Sequence, residues 1–289
     1  MKPAAFEYCR PDTLEEALAA LAEFADDAAV MSGGLSLGAL LNTRLVQPAA
    51  VIDINRITGF DRIEVTGGML HTGPLVRQAD ALNSPLIGEA LPLLAAALPN
   101  VGHYQTRSRG TLAGSVAHAD PSAEIPLCLA VLGGEVELAS SRGRRRVGAG
   151  DFIQGALETG REGDEMLAGL LWPKSQSGDG VAFIEVSERH GDFAIAAAAA
   201  VARRDGDALR YTLGLGGIED RARLTSGSAP AAASAFAELA EQAAGDLARQ
   251  LDPMQDRRAS AAYRRHLAGH LGAQALEQAL VRAGMEGGT

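Results

Sequence analysis

Ala29-Val30-Met31-Ser32-Gly33-Gly34-Leu35-Ser36-Leu37 joins an apolar triplet to a helical pattern through a serine and two glycines. The triplet reads as a buried strand, and Leu35 to Leu45 carries apolar residues at helical spacing. Upstream, Ala5 to Tyr8 reads as a strand, and Thr13 and Glu16 have capping-box spacing ahead of a helix that runs to Phe24. Downstream, Ala50-Val51-Ile52-Asp53-Ile54 reads as another buried strand. The first fifty-odd residues are thus expected to form a strand–helix–strand–helix–strand unit. At its central turn the glycines let backbone approach a ligand closely. The following helix start offers unpaired N–H groups and a partial positive charge suited to a pyrophosphate, with the Ser36 hydroxyl as a further donor. A plain tight turn is the commoner meaning of such a Gly-Gly pair, and the run is not the G-x-G-x-x-G dinucleotide fingerprint.

From about Gly59 the pattern changes. Ile63-Glu64-Val65 and Met69-Leu70-His71 flank Gly67-Gly68 as a β-hairpin. Helices are expected at Val76–Asn83 and Pro92–Leu98, then an arginine-rich irregular stretch from Asn100 to Gly110. A helix opened by Pro121 is expected to run to Val131, followed by strands at Glu135–Ala139, Arg145–Val147 and Glu165–Leu171. The turn-rich Trp172-Pro173-Lys174-Ser175-Gln176-Ser177-Gly178 marks the boundary between a two-lobed domain, residues 1–176 (lobes about 1–57 and 58–176), and a smaller one, residues 177–289. The second domain is expected to hold three antiparallel strands, Val181–Ser187, Phe193–Arg203 and Ala208–Gly214. Helices Ala231–Leu247 (with Pro230 in its first turn), Asp256–Leu271 and Ala273–Ala283 then form a helical bundle. Ala196 to Ala200 reads as a strand packed closely under a neighbour, against alanine's helical preference. The class is α+β.

With 26 basic against 36 acidic residues the net charge is −10, which disfavours nucleic acid as a partner. No apolar run reaches the ~18 residues of a membrane span, and no signal-peptide core follows Met1-Lys2-Pro3, so the expected location is cytoplasmic. Two cysteines, Cys9 and Cys128, are too few to ligate an iron–sulfur cluster, so any such centre belongs on another chain. Both sit in apolar settings and read as core thiols.

The second chemical stretch runs from Asn100 to Glu124. Small residues at Gly110, Ala113 and Gly114 leave room for a flat ligand. Thr111 and Ser115 offer hydroxyls to phosphate or ribitol oxygens, and Asp120 and Glu124 can accept from hydroxyls or ring N–H groups. A Ser/Gly loop capped by Asp120 and Pro121 is an equally good reading of these residues alone. His118-Ala119-Asp120 lacks further ligands for a metal. His266 and His270 share a helix face without the Glu of H-E-x-x-H and read as surface or interface residues. Arg142-Gly143-Arg144-Arg145-Arg146 reads as a solvated hairpin.

Taken together, Ser32–Leu37, then Arg109–Ser115 running into Ala117–Glu124, then Arg189-His190-Gly191-Asp192-Phe193-Ala194 resemble the FAD-binding medium subunit of molybdenum hydroxylases, the carbon monoxide dehydrogenase and xanthine dehydrogenase group. The motifs stand in that family's order and spacing, and the likeness covers essentially the whole chain. It implies a two-lobed FAD-binding domain of the PCMH type. It also implies that Ser32, Gly33, Gly34, Leu35, Ser36 and Leu37 form the first pyrophosphate loop and Gly110, Thr111, Gly114 and Ser115 the second flavin loop. Asp120 and Glu124 match polar contacts to FAD, Val101 and Leu167 match apolar ones, and Phe193, beside Gly191-Asp192, stands where some members place an aromatic residue over the isoalloxazine ring. Leu35 replaces a common polar residue, Ala113 a usual glycine, and Phe193 the tyrosine of some relatives.

The function so implied is that of an electron-transfer subunit. A large subunit with the molybdenum cofactor hydroxylates the substrate, two [2Fe–2S] clusters on a small subunit relay electrons to FAD here, and an external acceptor removes them. A dimer of heterotrimers is the implied assembly. No catalytic acid, base or nucleophile is required of this chain, and no protein metal site is expected. A stand-alone flavin oxidoreductase, with Tyr211 or His190 near its substrate, is the alternative, and an assembly subunit without FAD a third reading that the glycine loops disfavour. The substrate is set by the large subunit. Without an NAD signal, the acceptor is expected to be a quinone, a cytochrome or oxygen.

Overall fold

The computed structural model describes residues 2–231 and 236–285. Strand β1 (Glu7–Cys9), helix α1 (Leu14–Phe24), β2 (Ala28–Met31), α2 (Leu35–Thr43) and β3 (Ala50–Asp53) build a parallel sheet of order β1-β3-β2. The expected capping box is formed in its Thr13 half, while Glu16 reaches one residue beyond the N-cap. Thr13 accepts the Glu16 N–H at 3.2 Å, and the Glu16 carboxylate reaches back to the Asp12 N–H at 2.8 Å. Ala17 and Leu21, one turn apart, are fully buried against Ile52 and Ile54.

The second lobe adds the hairpin β4 (Ile63–Thr66) and β5 (Met69–Thr72), then α3 (Gln78–Leu82), α4 (Pro85–Ala90), α5 (Pro92–Ala97), α6 (Tyr104–Arg107), α7 (Leu112–His118) and α8 (Glu124–Val131). It closes with β6 (Glu135–Ser140), β7 (Gly143–Gly148), α9 (Ala149–Phe152), β8 (Ile153–Gly155), β9 (Glu158–Thr159) and β10 (Met166–Pro173). The antiparallel sheet has the order β4-β5-β10-β6-β7, pinned inside by the buried Trp172 indole donating to the Thr72 hydroxyl at 3.0 Å. The arginine run on β7 pairs outward, with Arg142 on Glu162 and Asp164 and Arg145 on Glu165.

Two local expectations are corrected. The stretch read as a loop between Gly110 and Asp120 is largely helix α7, because Thr111 caps it by accepting the Gly114 N–H at 2.9 Å. Pro121 does not open the next helix: Asp120 accepts the Ser122 N–H at 2.8 Å, which holds Pro121 in a turn, and α8 begins at Glu124.

The C-terminal unit comprises β11 (Gly180–Val186), β12 (Ala196–Asp205), β13 (Ala208–Gly216), β14 (Arg223–Pro230), α10 (Phe236–Gln250) and α11 (Ala261–Met285). The antiparallel sheet has four strands in chain order, not three. Its Thr-Ser-Gly-Ser strand β14 lacks an apolar pattern because it is an edge strand facing solvent on one side, tied across by Thr212 and Ser226 hydroxyls 3.1 Å apart. Pro230 ends this strand and opens no helix, as an edge permits. The helix expected from Ala231 does not start there, since the Ala231 N–H donates to the Asp207 carbonyl at 2.9 Å; residues 232–235 lie outside the described residues, and α10 is described from Phe236. The two final helices are one. Asp256 accepts N–H groups of Arg258 and Ala259, which delays the helix to Ala261, and Gly272 passes through its middle packed against Ala244 and Leu215. The bundle is therefore a pair, α10 against α11.

The alanine run is a strand with both faces covered. Ala197, Ala199 and Val201 join the core that contains α5 and α8, whereas Ala196, Ala198, Ala200 and Ala202 join the core beneath α10 and α11. Small side chains let the helices approach closely. A Cβ on Gly180, the partner of Ala202, would collide with backbone of Ala279 on α11. Arg264, wholly buried, fastens α11 from the same side by donating to the carbonyls of Ile195 at 2.5 Å and Gly217 at 2.6 Å, and to Asp256 at 2.8 Å.

Candidate cofactor site

The β2–α2 turn converts sequence into a donor array. Gly34 adopts φ +74°, a left-handed conformation that glycine takes without cost, and it leaves α2 starting without a side-chain cap. The N–H groups of Gly33, Gly34, Leu35, Ser36 and Leu37 consequently find no protein acceptor among the described residues. Helix starts always leave such orphan donors, and here they open into a cavity of about 630 Å³. That volume lies within the range of small-molecule and cofactor sites.

The opposite wall comes from the second lobe. Gly33 lies so close to the Arg109 carbonyl and the Gly110 α-carbon that a side chain there would run into backbone. Gly110 is pressed by the Gln78 side chain, and a Cβ on Gly114 would stand 2.7 Å from the Thr111 hydroxyl. The Ser32 and Thr111 hydroxyls bond each other at 3.0 Å across the two loops. Thr111 is nearly inaccessible, so its hydroxyl joins the loops and caps α7, while Ser115 remains partly open.

Carboxylates of Asp120 and Glu124 line the cavity as well. Glu124 is 7% exposed at the start of α8. Burial pushes its carboxyl up to about 8; its own backbone N–H draws it back, and the neighbouring carboxylates of Glu185 and Asp120 push it further. Burial also lifts Glu185, on β11, to about 7, and one of its carboxylate oxygens is buried without a partner among the described residues. A neutral Glu124 can donate a hydrogen bond as well as accept one.

The cavity borders all of the sixteen residues named from the sequence: Ser32 to Leu37, Val101, Gly110, Thr111, Gly114, Ser115, Asp120, Glu124, Leu167, Asp192 and Phe193. Val101 and Leu167 are buried apolar walls. Phe193 stands 61% exposed at the rim and precedes β12, which begins at Ala196 and not at Phe193. Three elements far apart in sequence therefore meet at one cavity. Sequence motifs did not point to Gln78, whose buried Oε1 has no partner among the described residues, or to Arg161, which lines the cavity while donating to the carbonyls of Glu162, Gly163 and Glu165. Neither lies in a glycine motif. Among the described residues no group of His, Cys, Asp and Glu is arranged to hold a metal.

A glycine-walled cavity lined by a helix start, a buried carboxyl group and an exposed aromatic has the features of a flavin dinucleotide site. Residues 4–175 match the family model of the FAD binding domain in molybdopterin dehydrogenase, and residues 181–279 match that of the CO dehydrogenase flavoprotein C-terminal domain. The chain belongs to this family: it is a medium, FAD-carrying subunit of the molybdenum hydroxylases, and FAD is its cofactor. It is 33% identical over 285 residues to the carbon monoxide dehydrogenase medium chain of Hydrogenophaga pseudoflava, covering 98% of this chain and 99% of that one. To caffeine dehydrogenase subunit beta of a Pseudomonas species it is 40% identical over 200 residues, 69% of this chain and 68% of the relative. Among solved structures, carbon monoxide dehydrogenase from Hydrogenophaga pseudoflava superposes with a TM-score of 0.90 at 31% identity, covering 98% of this chain and 99% of that one. Quinoline 2-oxidoreductase from Pseudomonas putida 86 does so with a TM-score of 0.88 at 33% identity, again over 98% and 99%.

Proposed function

We propose that this chain is the electron-exit subunit of a heterotrimeric molybdenum hydroxylase, taking electrons from [2Fe–2S] clusters of a small subunit and passing them to an external acceptor. The large subunit carries the molybdenum cofactor and selects the substrate, and two heterotrimers pair in a cytoplasmic complex. The observation that carries the reading is the run of free N–H groups from Gly33 to Leu37 opening into the cavity. Two cysteines, one of them fully buried, leave the iron–sulfur work to a partner. When bound, FAD supplies the two-electron and one-electron chemistry that links the two sides of such a relay.

The residues divide the work of holding it. Ser32 to Leu37 take the pyrophosphate, Leu35 by backbone alone. Gly110 and Gly114 admit the cofactor to the main chain, Thr111 tightens the loop, and Ser115, Asp120 and Glu124 bind its hydroxyl and ring polar groups. Val101 and Leu167 exclude water from its apolar parts. Asp192 and Phe193 meet the ring system at the rim. The unit for this task is residues 1–176, in lobes of about 1–57 and 58–176, with 177–289 as a second domain that contributes the rim; the family matches at 4–175 and 181–279 support that division.

The test is a visible spectrum and metal analysis on the complex drawn from its native host through this chain. Flavin together with molybdenum and iron supports the subunit reading. Flavin alone, bleached by a substrate with the isolated chain, replaces it with an independent flavin oxidoreductase.

A further inference from the structure

Behind the two glycine loops runs a chain of polar side chains that does not border the cavity. The Asn55 amide donates to the Ser32 carbonyl at 2.7 Å and to Asp53 Oδ1 at 2.6 Å. Its own oxygen accepts from the Arg77 guanidinium at 2.5 Å. The other terminal nitrogen of Arg77 donates to the Arg109 carbonyl at 2.6 Å. Asp53, 6% exposed at the end of β3, anchors the base, accepting also from the Tyr8 hydroxyl and from the Asn55 N–H at 2.9 Å. Ser32 and Arg109 stand far apart in sequence, one in each loop, and this bridge grips the carbonyl of each.

A trans peptide is planar, so its C=O and N–H point in opposite directions. Holding the Ser32 carbonyl from the Asn55 side turns the Gly33 N–H the other way, and that N–H has no protein acceptor among the described residues. The Arg109–Gly110 peptide is held at both ends, its carbonyl by Arg77 and its N–H by the Thr106 carbonyl at 2.7 Å. Gly33 packs directly on that carbonyl. Glycine's dihedral freedom makes rotation of the loop peptides cheap, and a rotated peptide would aim a carbonyl at an anion in place of an N–H.

We propose that Asn55 and Arg77 form a strut that sets the peptide directions of both loops, and through them the affinity for a dinucleotide's pyrophosphate, without touching it. They are positioning residues. The proposal rests on the cofactor-site reading above and adds to it the part of the ligand the strut serves.

The experiment measures dissociation constants of FAD, ADP and riboflavin for the full-length apo chain and for Asn55→Ala, Arg77→Met and Arg77→Lys, with the apo melting temperature followed in each. The expected result is a rise of about tenfold in the constants for FAD and ADP in all three variants, with riboflavin within about twofold of wild type. Arg77→Lys keeps the charge and the fold but cannot bridge Asn55 and Arg109 as a fork does, so wild-type ADP binding in that variant overturns the strut in favour of simple charge. Equal losses for ADP and riboflavin overturn it in favour of a general packing role. A wild-type chain that binds ADP while every variant does the same overturns the strut alone; a wild-type chain that binds neither FAD nor ADP overturns the site reading with it.

Discussion

Glu124 is a carboxyl with nothing cationic among the groups that govern its ionisation, and its titration bears on the stability of the fold. Its folded value, about 8, lies above the ordinary 4.5, so the folded apoprotein holds a proton that the unfolded chain has lost. That contribution is complete below pH 4.5 and disappears as the pH rises through 8; at about 1.4 kcal/mol per unit it is on the order of a few kcal/mol. The apoprotein is therefore expected to lose stability between pH 5 and 8, and Glu124→Gln to reduce that slope to the part that Glu185 contributes; a melting series across the range checks it. Gly33→Ala belongs to the same scale. Its new methyl meets the Arg109 backbone, which cannot swing aside, so about 1–3 kcal/mol of stability and most of the FAD affinity should go, measured by melting and flavin fluorescence. Glu124 was legible because it stands in a run of motif residues. Glu185, which presses on it, was not, because its proximity comes from the placement of β11 and leaves no trace in local sequence.

Among the elements, periodicity was a good guide where one face is buried and a poor one elsewhere. Helix α1, with Ala17 and Leu21 inside and acidic residues at its start, was legible to within a residue. Strand β14 was invisible because an edge strand of Thr, Ser and Gly has no apolar alternation to read. The break expected within α11 failed because Gly272 gains a packing role against α10 that outweighs its cost in a helix. Strand β12 is the opposite case, alanine after alanine held extended by pressure from two sides. Ala198→Leu is expected to overpack the α11 side and destabilise by about 1–3 kcal/mol, checked by urea unfolding. Arg264→Met should cost about 3 kcal/mol by the same measurement, since Asp256 and the Ile195 and Gly217 carbonyls lose a shared donor.

For the molecule as a whole, the cavity is a product of assembly: its walls come from both lobes and its rim from the C-terminal unit. The motifs were readable one by one, and their order along the chain made them specific, but their convergence depends on contacts such as Gly33 on Arg109 that no spacing records. Because one face of the C-terminal sheet belongs to the core of the second lobe, calorimetry of the apoprotein is expected to show a single transition, and two resolved peaks would refute that coupling. FAD at a hundred times its dissociation constant should add about 2.7 kcal/mol to that transition.

The double-sided strand also bears on how the protein is made. Helices α5 and α8 leave the ribosome well before the alanines of β12 that cover them. At roughly 5–20 residues per second the interval is several seconds, during which a greasy wall of the newborn first domain faces solvent with its lid still unsynthesised. A nascent chain stalled within that window should be a ready client for a ribosome-bound chaperone, and one stalled after β12 has emerged should not.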